Sequence, residues 1–348
     1  MSCVYRYINS ENVLSVIARV IIFRHPLSHS HYTIETLNSL SSSEMTLFII
    51  GLGLGDEKDI TVRGLEAVKS CDKIFLEAYT SILGVDKEKL EAFYCKPITV
   101  ADRNMVESEA EMIYEPAKTS NVALLVVGDP VCATTHTDIL IRAKQFGCKV
   151  EVIHNASIMG AAGSSGLQLY NFGHTVSICF FEENWRPTSF YPKVLYNRQG
   201  GMHTLCLLDI KVKEPDFEAM MKGKTVFLPP RYMTVNQCCE NLIEAEQKHQ
   251  GGAYSIETTL CIGLARLGQE TQCIKAGTLV ELIREDFGGP LHSVIICGDL
   301  HDLELEVINE FLVEGSMFSL ENATKIKQQL VAESSGEHED AAEETTES

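Results

Sequence analysis

The stretch MTLFIIGLGLGDEKD, residues 45–59, decides how the rest of the chain is read. Met45 to Ile50 is a β-rich apolar run that stops abruptly, and Gly51, Gly53 and Gly55 follow at alternate positions. A strand ending this way delivers its backbone to a ligand at the carboxyl edge of an open α/β sheet. A second run, Val122 to Val127, stops in the same manner at Gly128-Asp129-Pro130. Two such edges point to one small-molecule pocket.

The glycine spacing narrows the ligand. A dinucleotide fingerprint is Gly-x-Gly-x-x-Gly, with its last glycine inside a helix that packs on the strand. Here the third glycine comes one residue early, and Asp56, Glu57 and Asp59 follow it. Carboxylates close to a helix start repel a pyrophosphate. No Gly-x-x-x-x-Gly-Lys-Ser/Thr loop occurs in the sequence either. A phosphate-rich ligand is disfavoured and a neutral or cationic one favoured. S-adenosyl-methionine, which carries a sulfonium and no phosphate, fits.

The bulk composition agrees with a globular enzyme. A chain of 348 residues with 45% hydrophobic content can hold two α/β domains. A net charge of −19 argues against non-specific nucleic-acid binding, which needs a basic face. No apolar run approaches the roughly 20 residues needed to span a bilayer. The twelve cysteines include no Cys-x-x-Cys pair, so neither a metal site nor a disulfide framework is expected, and reduced thiols in a cytoplasmic protein are. Residues 1–44 read as an N-terminal extension, expected to be disordered; His25, His29 and His31 within it have no partner cluster for a metal. Residues 333–348 hold seven acidic residues and no Lys or Arg, a solvated, disordered tail.

Between these ends strand and helix patterns alternate. In the segment 45–165, strands are expected at 45–50, 73–76, 97–100, 122–127 and 150–153, with helices at 61–70 and 106–118. A third helix carries Ile139, Leu140, Ala143 and Phe146 on its core face, with Thr135 and Asp138 resembling a capping box at its start and Gly147 at its end. Ala156 to Gly166 is rich in small residues and reads as a tight helix or a hinge. In the segment 166–332, strands are expected at 176–181, 202–208, 258–264 and 293–297, and helices at 235–247, 276–283 and 303–312. No internal sequence repeat is apparent. The fold class is α/β, in two α/β domains.

Several motifs occur in a fixed order. They are Gly51 to Asp59, Glu77-Ala78-Tyr79-Thr80-Ser81, Val127-Gly128-Asp129-Pro130, Ala133-Thr134-Thr135-His136, His154-Asn155-Ala156-Ser157-Ile158, Gly201-Met202-His203-Thr204-Leu205, Pro229-Pro230-Arg231-Tyr232-Met233 and Gly289-Pro290-Leu291-His292-Ser293. Each alone is weak, but the ordered set, spanning about residues 45–312, closely resembles the diphthine methyl ester synthase (diphthine synthase) family. The resemblance implies a fold of tetrapyrrole-methylase type with S-adenosyl-methionine in the cleft between the two domains. It implies a homodimer. It also implies methylation of a modified histidine on elongation factor 2, giving a trimethylated amine and a carboxylate methyl ester. Carried onto this chain, cofactor contacts fall at Leu54, Asp129, Cys132, Ser157, Ile158, Leu208, Leu267 and His292. Relatives often have a smaller residue where Cys132 stands.

The residues themselves are compatible with that chemistry. Methyl transfer from a sulfonium needs positioning more than activation, so the absence of a recognisable triad or metal-ligand cluster is expected, and no general base is assigned. Asp129, at a strand end, could hold the methionine or ribose part by charge-assisted hydrogen bonds, or Asp129-Pro130 could simply make a turn. His292 alone would more often be a packed histidine, and Leu54, Leu208 and Leu267 suit an adenine face or a core equally. Ser157-Ile158 opens a small-residue helix whose amides are free for a ligand. Thr134, Thr135 and His136 suit substrate contact or helix capping. Trp185-Arg186-Pro187 and Arg231-Tyr232 read as loop anchors that could grip a protein substrate. A methylase acting on a tetrapyrrole ring and a module that binds the cofactor without turnover are the competing readings; a nicotinamide dehydrogenase is nearly excluded by the glycine spacing.

Deletion of residues 1–44 is expected to leave methyl transfer intact, measured as transfer rate per mole of folded protein. Loss of soluble folded material would show that the extension packs on the catalytic part.

Overall fold

The structure is a computed structural model that describes residues 45–318 apart from 225. The expectations for residues 1–44 and for the acidic tail lie outside the described residues.

Two five-stranded sheets carry the fold. The first takes β1 (Thr46–Gly51), β2 (Lys73–Glu77), β3 (Thr99–Ala101), β4 (Val122–Val126) and β5 (Lys149–Ile153) in the order β3-β2-β4-β1-β5, with every pair parallel. Parallel strands need crossovers, and helices cover both faces. Alternate residues of the central strands therefore enter two different cores. Leu47, Ile49, Val122 and Leu124 face one core, and Ile50, Leu52, Ala123 and Leu125 the other. This double burial is why β1 and β4 read as continuous apolar runs and not as alternating ones. Helices α1 (Val62–Ser70) and α2 (Lys87–Tyr94) cover the second face through Ala67, Val68, Leu90 and Tyr94. The short helices α3 (Arg103–Glu107) and α4 (Glu111–Tyr114), with α5 (Thr137–Gln145), cover the first through Val106, Ile113, Ile139 and Ala143.

The segment that leaves β5 runs through α6 (Ile158–Ala161) and a 3-10 turn to Gly166, whose φ of 89° closes it. Ala162 and Leu167 pack on one face of the second sheet, beside Leu205, Ile262 and Ile295. That sheet is built from β6 (Val176–Ile178), β7 (Thr204–Leu208), β10 (Cys261–Ala265), β11 (Cys273–Gly277) and β12 (His292–Ile296), in the order β11-β10-β12-β7-β6. All its pairs are antiparallel except β6 with β7. Its other face is covered by α7 (Tyr191–Gln199) and by α9 (Val235–His249), which buries Val235, Cys238, Cys239, Leu242 and Ala245. Between β7 and α9 lie the ribbon β8 (Ile210–Lys211) and β9 (Arg231–Tyr232), with α8 (Phe217–Met221) in the connection. Helices α10 (Leu279–Leu282) and α11 (Asp302–Ile308) complete the layer order. The described cysteines are free thiols, and burial holds those of Cys238, Cys239 and Cys261 protonated as packing groups.

Three local expectations are corrected. The acidic segment 106–118 is not one helix: it breaks between α3 and α4 and ends as a 3-10 turn at Glu115–Lys118, where Pro116 offers no N–H to an α-helical ladder. Residues 276–283 are not one helix either. Ala276 pairs with Ile262 in the sheet, and the Thr278 hydroxyl and Glu281 form a capping box that starts α10 at Leu279. Thr135 does not cap α5. His136 occupies the cap with φ −68° and ψ −6°, already helical, and no side chain bonds the free amides there. Side-chain capping wants an extended cap residue, as Thr61 and Thr234 have for α1 and α9.

Gly51 stands at the tightest point of the first sheet. A Cβ there would lie 2.6 Å from the Gly128 carbonyl oxygen and 2.8 Å from the Asn155 Cβ. Gly51→Ala should therefore destabilise the protein by about 1–3 kcal/mol through overpacking, read as a lower midpoint in urea unfolding. An unchanged midpoint would mean that the strand ends can part without cost.

Candidate active site

The carboxyl ends of β1 and β4 are tied together beyond the sheet. The Leu52 amide donates to the Val126 oxygen at 2.8 Å, the Gly53 amide to the Gly128 oxygen at 3.2 Å, and the Gly128 amide to the Gly53 oxygen at 2.7 Å. Gly53 (φ 79°) and Gly128 (φ 77°) adopt the left-handed backbone this crossing requires. Asn155 pins the arrangement from β5's end, its Nδ2 donating to the Gly51 oxygen at 2.9 Å and the Asp59 oxygen at 3.0 Å.

Asp59 folds back on the glycine loop. Its Oδ2 accepts the Gly55 amide at 2.7 Å and the Leu54 amide at 3.2 Å. The amides that would cradle a phosphate are thus already bound by a carboxylate. The helix after the loop, α1, begins only at Val62 and is capped by the Thr61 hydroxyl, which takes the Gly64 amide at 3.0 Å. The loop is built against phosphate by consumption of its donors, a stronger reason than repulsion alone.

Above the crossing lies a pocket of about 150 Å³. Of the eight residues expected to hold cofactor, Leu54, Cys132, Ser157, Ile158, Leu208, Leu267 and His292 all line it. They come from both halves of the chain, and the second half closes over the first. Gly268 (φ 84°) brings its backbone against Leu54, where an added Cβ would sit 3.1 Å from the Leu54 Cβ, and Gln269 Nε2 donates to the Leu54 oxygen at 3.4 Å.

Asp129 does not line the pocket. It is 3% exposed and lies beneath it, with both carboxylate oxygens satisfied by the protein. Oδ1 accepts the Val131 amide at 2.9 Å; Oδ2 accepts the Asn155 amide at 3.1 Å and pairs with His154 Nδ1 at 2.8 Å. Burial works against ionisation here, but these donors outweigh it and hold the carboxyl below the usual carboxylate range. The expected turn is present, closed by the Cys132 amide on the Asp129 oxygen at 3.3 Å, and the carboxylate ties the β4 loop to the β5 loop and so places Cys132 and Ser157. His292 is likewise internally satisfied. Its Nδ1 accepts the Val235 amide at 3.2 Å and its Nε2–H donates to the Gly289 oxygen at 2.9 Å. Burial keeps the ring neutral, so His292 offers the pocket a wall and no charge.

Thr80, Ser81, Ile82 and Thr134 also line the pocket, as does Arg266. Thr80 and Ser81 stand in the quoted motif after β2, but no ligand role was assigned to them. The available signal was that β2 is another strand of the same parallel sheet, so its carboxyl end meets the same edge. Arg266 is committed to backbone oxygens, with Nη1 on Phe287 at 2.7 Å and Nη2 on Thr271 at 2.7 Å. Arg186 and Arg231, candidate grips, are ion-paired on the protein itself, Arg186 with Glu244, and Arg231 with Glu214 at 2.5 Å and Glu182 at 2.8 Å. Among the described residues no group of three or more His, Cys, Asp or Glu side chains could hold a metal ion, and no helix is long and apolar enough to cross a membrane.

The pocket is walled mainly by apolar side chains. Gly128 leaves open floor: a Cβ there would project between Leu54 Cδ2 and the Ser157 Cα, each 3.9 Å away, and fill the space. Leu54, Ile158, Leu208 and Leu267 supply apolar faces, and the start of α6 supplies amides that no side chain caps.

Comparison with known proteins agrees with this geometry. Residues 46–283 match the family model of the tetrapyrrole (corrin/porphyrin) methylases. The chain is 56% identical over 272 residues to the diphthine methyl ester synthase of Dictyostelium discoideum, covering 78% of this chain and 99% of that protein. It is 55% identical over 271 residues to the human protein of the same name, covering 77% and 95%. A crystal structure of a diphthine synthase superposes with a TM-score of 0.66 at 34% identity, covering 77% of this chain and 96% of the other. The chain belongs to the tetrapyrrole methylase family and is a methyltransferase. Within that family its relatives are the diphthine methyl ester synthases.

Asp129→Asn should leave two donors without a full acceptor and lower stability by about 1–3 kcal/mol, measured by urea unfolding without ligand. The pH dependence has a fixed sign. Because the folded carboxyl ionises more readily than the unfolded one, its contribution is complete above the unfolded value of about 4 and fades as pH falls through the folded value. The gap between Asp129→Asn and wild type should therefore close in acid; a gap independent of pH would contradict the anchor role.

Proposed function

We propose that this chain is a diphthine methyl ester synthase that uses S-adenosyl-methionine to methylate the modified histidine of elongation factor 2, trimethylating its amine and esterifying its carboxylate during diphthamide synthesis. The observation that carries the reading is the convergence of Leu54, Cys132, Ser157, Ile158, Leu208, Leu267 and His292, drawn from six separated segments of the chain, on one glycine-floored pocket. The relatives' names and their near full-length coverage support it.

In this reading Leu54, Leu208, Leu267 and Ile158 hold the adenosine by apolar contact, and Ser157 with the first amides of α6 takes its polar edge. Asp129 acts from below by fixing the two loops that carry Cys132 and Ser157. When bound, the cofactor supplies an electrophilic methyl group on a sulfonium. The protein's share is positioning and exclusion of water, which suits a pocket without metal-ligand or nucleophile constellations. The same reading includes a homodimer and a cytoplasmic location, both supported by the family resemblance; light scattering reads the first.

The test mixes the purified protein and S-adenosyl-methionine with elongation factor 2 carrying the unmethylated diphthamide precursor. Mass spectrometry of the modified peptide should show several added methyl groups, one of them removed by mild alkali as an ester is. No transfer, with cofactor binding confirmed by calorimetry, would overturn the reading in favour of another acceptor or a non-catalytic binding role.

A further inference from the structure

The loop that follows β2 divides two cavities. Thr80 and Ser81 line the glycine-floored pocket, whereas Ala78 and Tyr79 line a second cavity of about 640 Å³, and Ile210 borders both. The second cavity is wider and charged, with Arg103 and Glu107 on one side and Lys211, Lys213 and Phe227 on the other. A protein side chain reaching the pocket through it would pass Tyr79 and arrive at Thr80.

Behind that junction sits a carboxylate with no exposure. Glu77, the last residue of β2, is 0% exposed. Its Oε1 accepts the Tyr79 and Thr80 amides, each at 2.7 Å, and its Oε2 accepts the Thr80 hydroxyl at 2.7 Å. Its hydrogen bonds come from amides and a hydroxyl and from no cation. The neighbouring ring, His136, is 1% exposed and is kept neutral by its burial. Tyr79 meets it edge to face at 6.5 Å, with its own hydroxyl also buried. The nearby guanidinium of Arg103 lies over the Tyr79 ring at 5.2 Å and pairs with Glu107 at 3.7 Å. A buried carboxyl group thus stands one hydroxyl away from the pocket.

The direction of the Thr80 bond sets what that hydroxyl can do. A threonine has one O–H, and here it is spent on Glu77. Toward the pocket Thr80 can only accept. It suits an amine or ammonium N–H and disfavours a carboxylate. We propose that Thr80, backed by Glu77, is the subsite that receives the substrate's amine and takes up its proton, with Glu77 as the positioning residue.

The inference rests on the function proposed above and divides its two chemistries. Each N-methylation begins with an ammonium that must lose a proton. That proton goes to the Thr80 oxygen as the Thr80 proton passes to Glu77, and the freed lone pair forms the N–C bond as the methyl–sulfur bond breaks; between rounds the proton returns from Glu77 through Thr80 to water in the pocket. Three such rounds release three protons. Ester formation uses a carboxylate that is already ionised, forms an O–C bond and releases none. Thr80 and Glu77 therefore matter to the amine steps and not to the ester step.

The experiment compares two acceptors. One is elongation factor 2 with the unmethylated precursor. The other is the wild-type product after mild alkali, which bears a quaternary amine and a free carboxylate. Thr80→Val should slow N-methylation of the first by on the order of a hundredfold near neutral pH. The deficit should narrow as pH rises, because the amine then loses its proton to solvent. Esterification of the second acceptor should fall far less than N-methylation, and calorimetry with S-adenosyl-homocysteine separates any change in pocket affinity from the loss specific to the amine steps. Thr80→Ser, which keeps the hydroxyl, should restore N-methylation, and Glu77→Gln should reproduce the Thr80→Val pattern if it folds. Equal losses on both acceptors, a lost affinity for S-adenosyl-homocysteine that accounts for the defect, or no defect at all would overturn the assignment. A wild-type protein inert on the first acceptor would overturn the function itself, a result distinct from a working enzyme whose Thr80 variant behaves normally.

Discussion

Gly51 and Gly128 meet backbone to backbone where β1 and β4 leave the first sheet, and the rest of the site depends on that contact. Two strands with ordinary side chains cannot approach so closely, since a Cβ at Gly51 would fall within 3 Å of both the Gly128 oxygen and the Asn155 side chain. Because Gly51 carries none, and Gly53 and Gly128 take the left-handed backbone, the chains cross, and Gly53 and Gly128 exchange two hydrogen bonds beyond the sheet edge. The crossing fixes the pocket floor, and the open side of Gly128 becomes space for a ligand instead of a packed core.

Around that crossing the protein uses carboxylates as internal ties. Asp59 takes the amides of the glycine loop, Asp129 links the β4 and β5 loops, and Glu77 gathers the loop after β2. Each neutralises backbone donors that would otherwise seek a ligand's phosphate or water. The result is a site whose walls rest on carboxyl groups with their acceptor oxygens already in use by backbone donors. In a basic glycine-rich loop the same backbone would serve nucleotides.

The second half contributes the cover. Its sheet is mainly antiparallel, and the β10 and β12 ends bring Leu267, Gly268 and His292 over the first sheet's edge. His292 does this as a neutral, fully bonded ring that locks the loop before β12 to the start of α9. Arg266 does the same for the loop before it by gripping backbone oxygens. The polar residues of the roof thus hold loops in place, and the apolar ones line the pocket.

Much of this was legible in the residue order. The apolar runs ending at Gly51 and Gly128 specified a parallel sheet with a ligand edge, because only strands buried on both faces stay apolar throughout. The ordered motifs specified the family, and seven of the eight residues carried over from it line one pocket. Sequence spacing could not say that Asp129 lies under the pocket with both oxygens used, since its donors come from Val131 and from the separate β5 loop. Nor could it break the segment 106–118 or assign Cys273–Gly277 to a strand, because a short apolar stretch takes its form from the neighbour it pairs with. The sequence by itself determined which strands end at glycine and therefore where a ligand could sit. Only the tertiary structure decided which polar groups remain free to meet it, because hydrogen bonds between residues far apart in the chain consume one donor or acceptor and leave the next exposed.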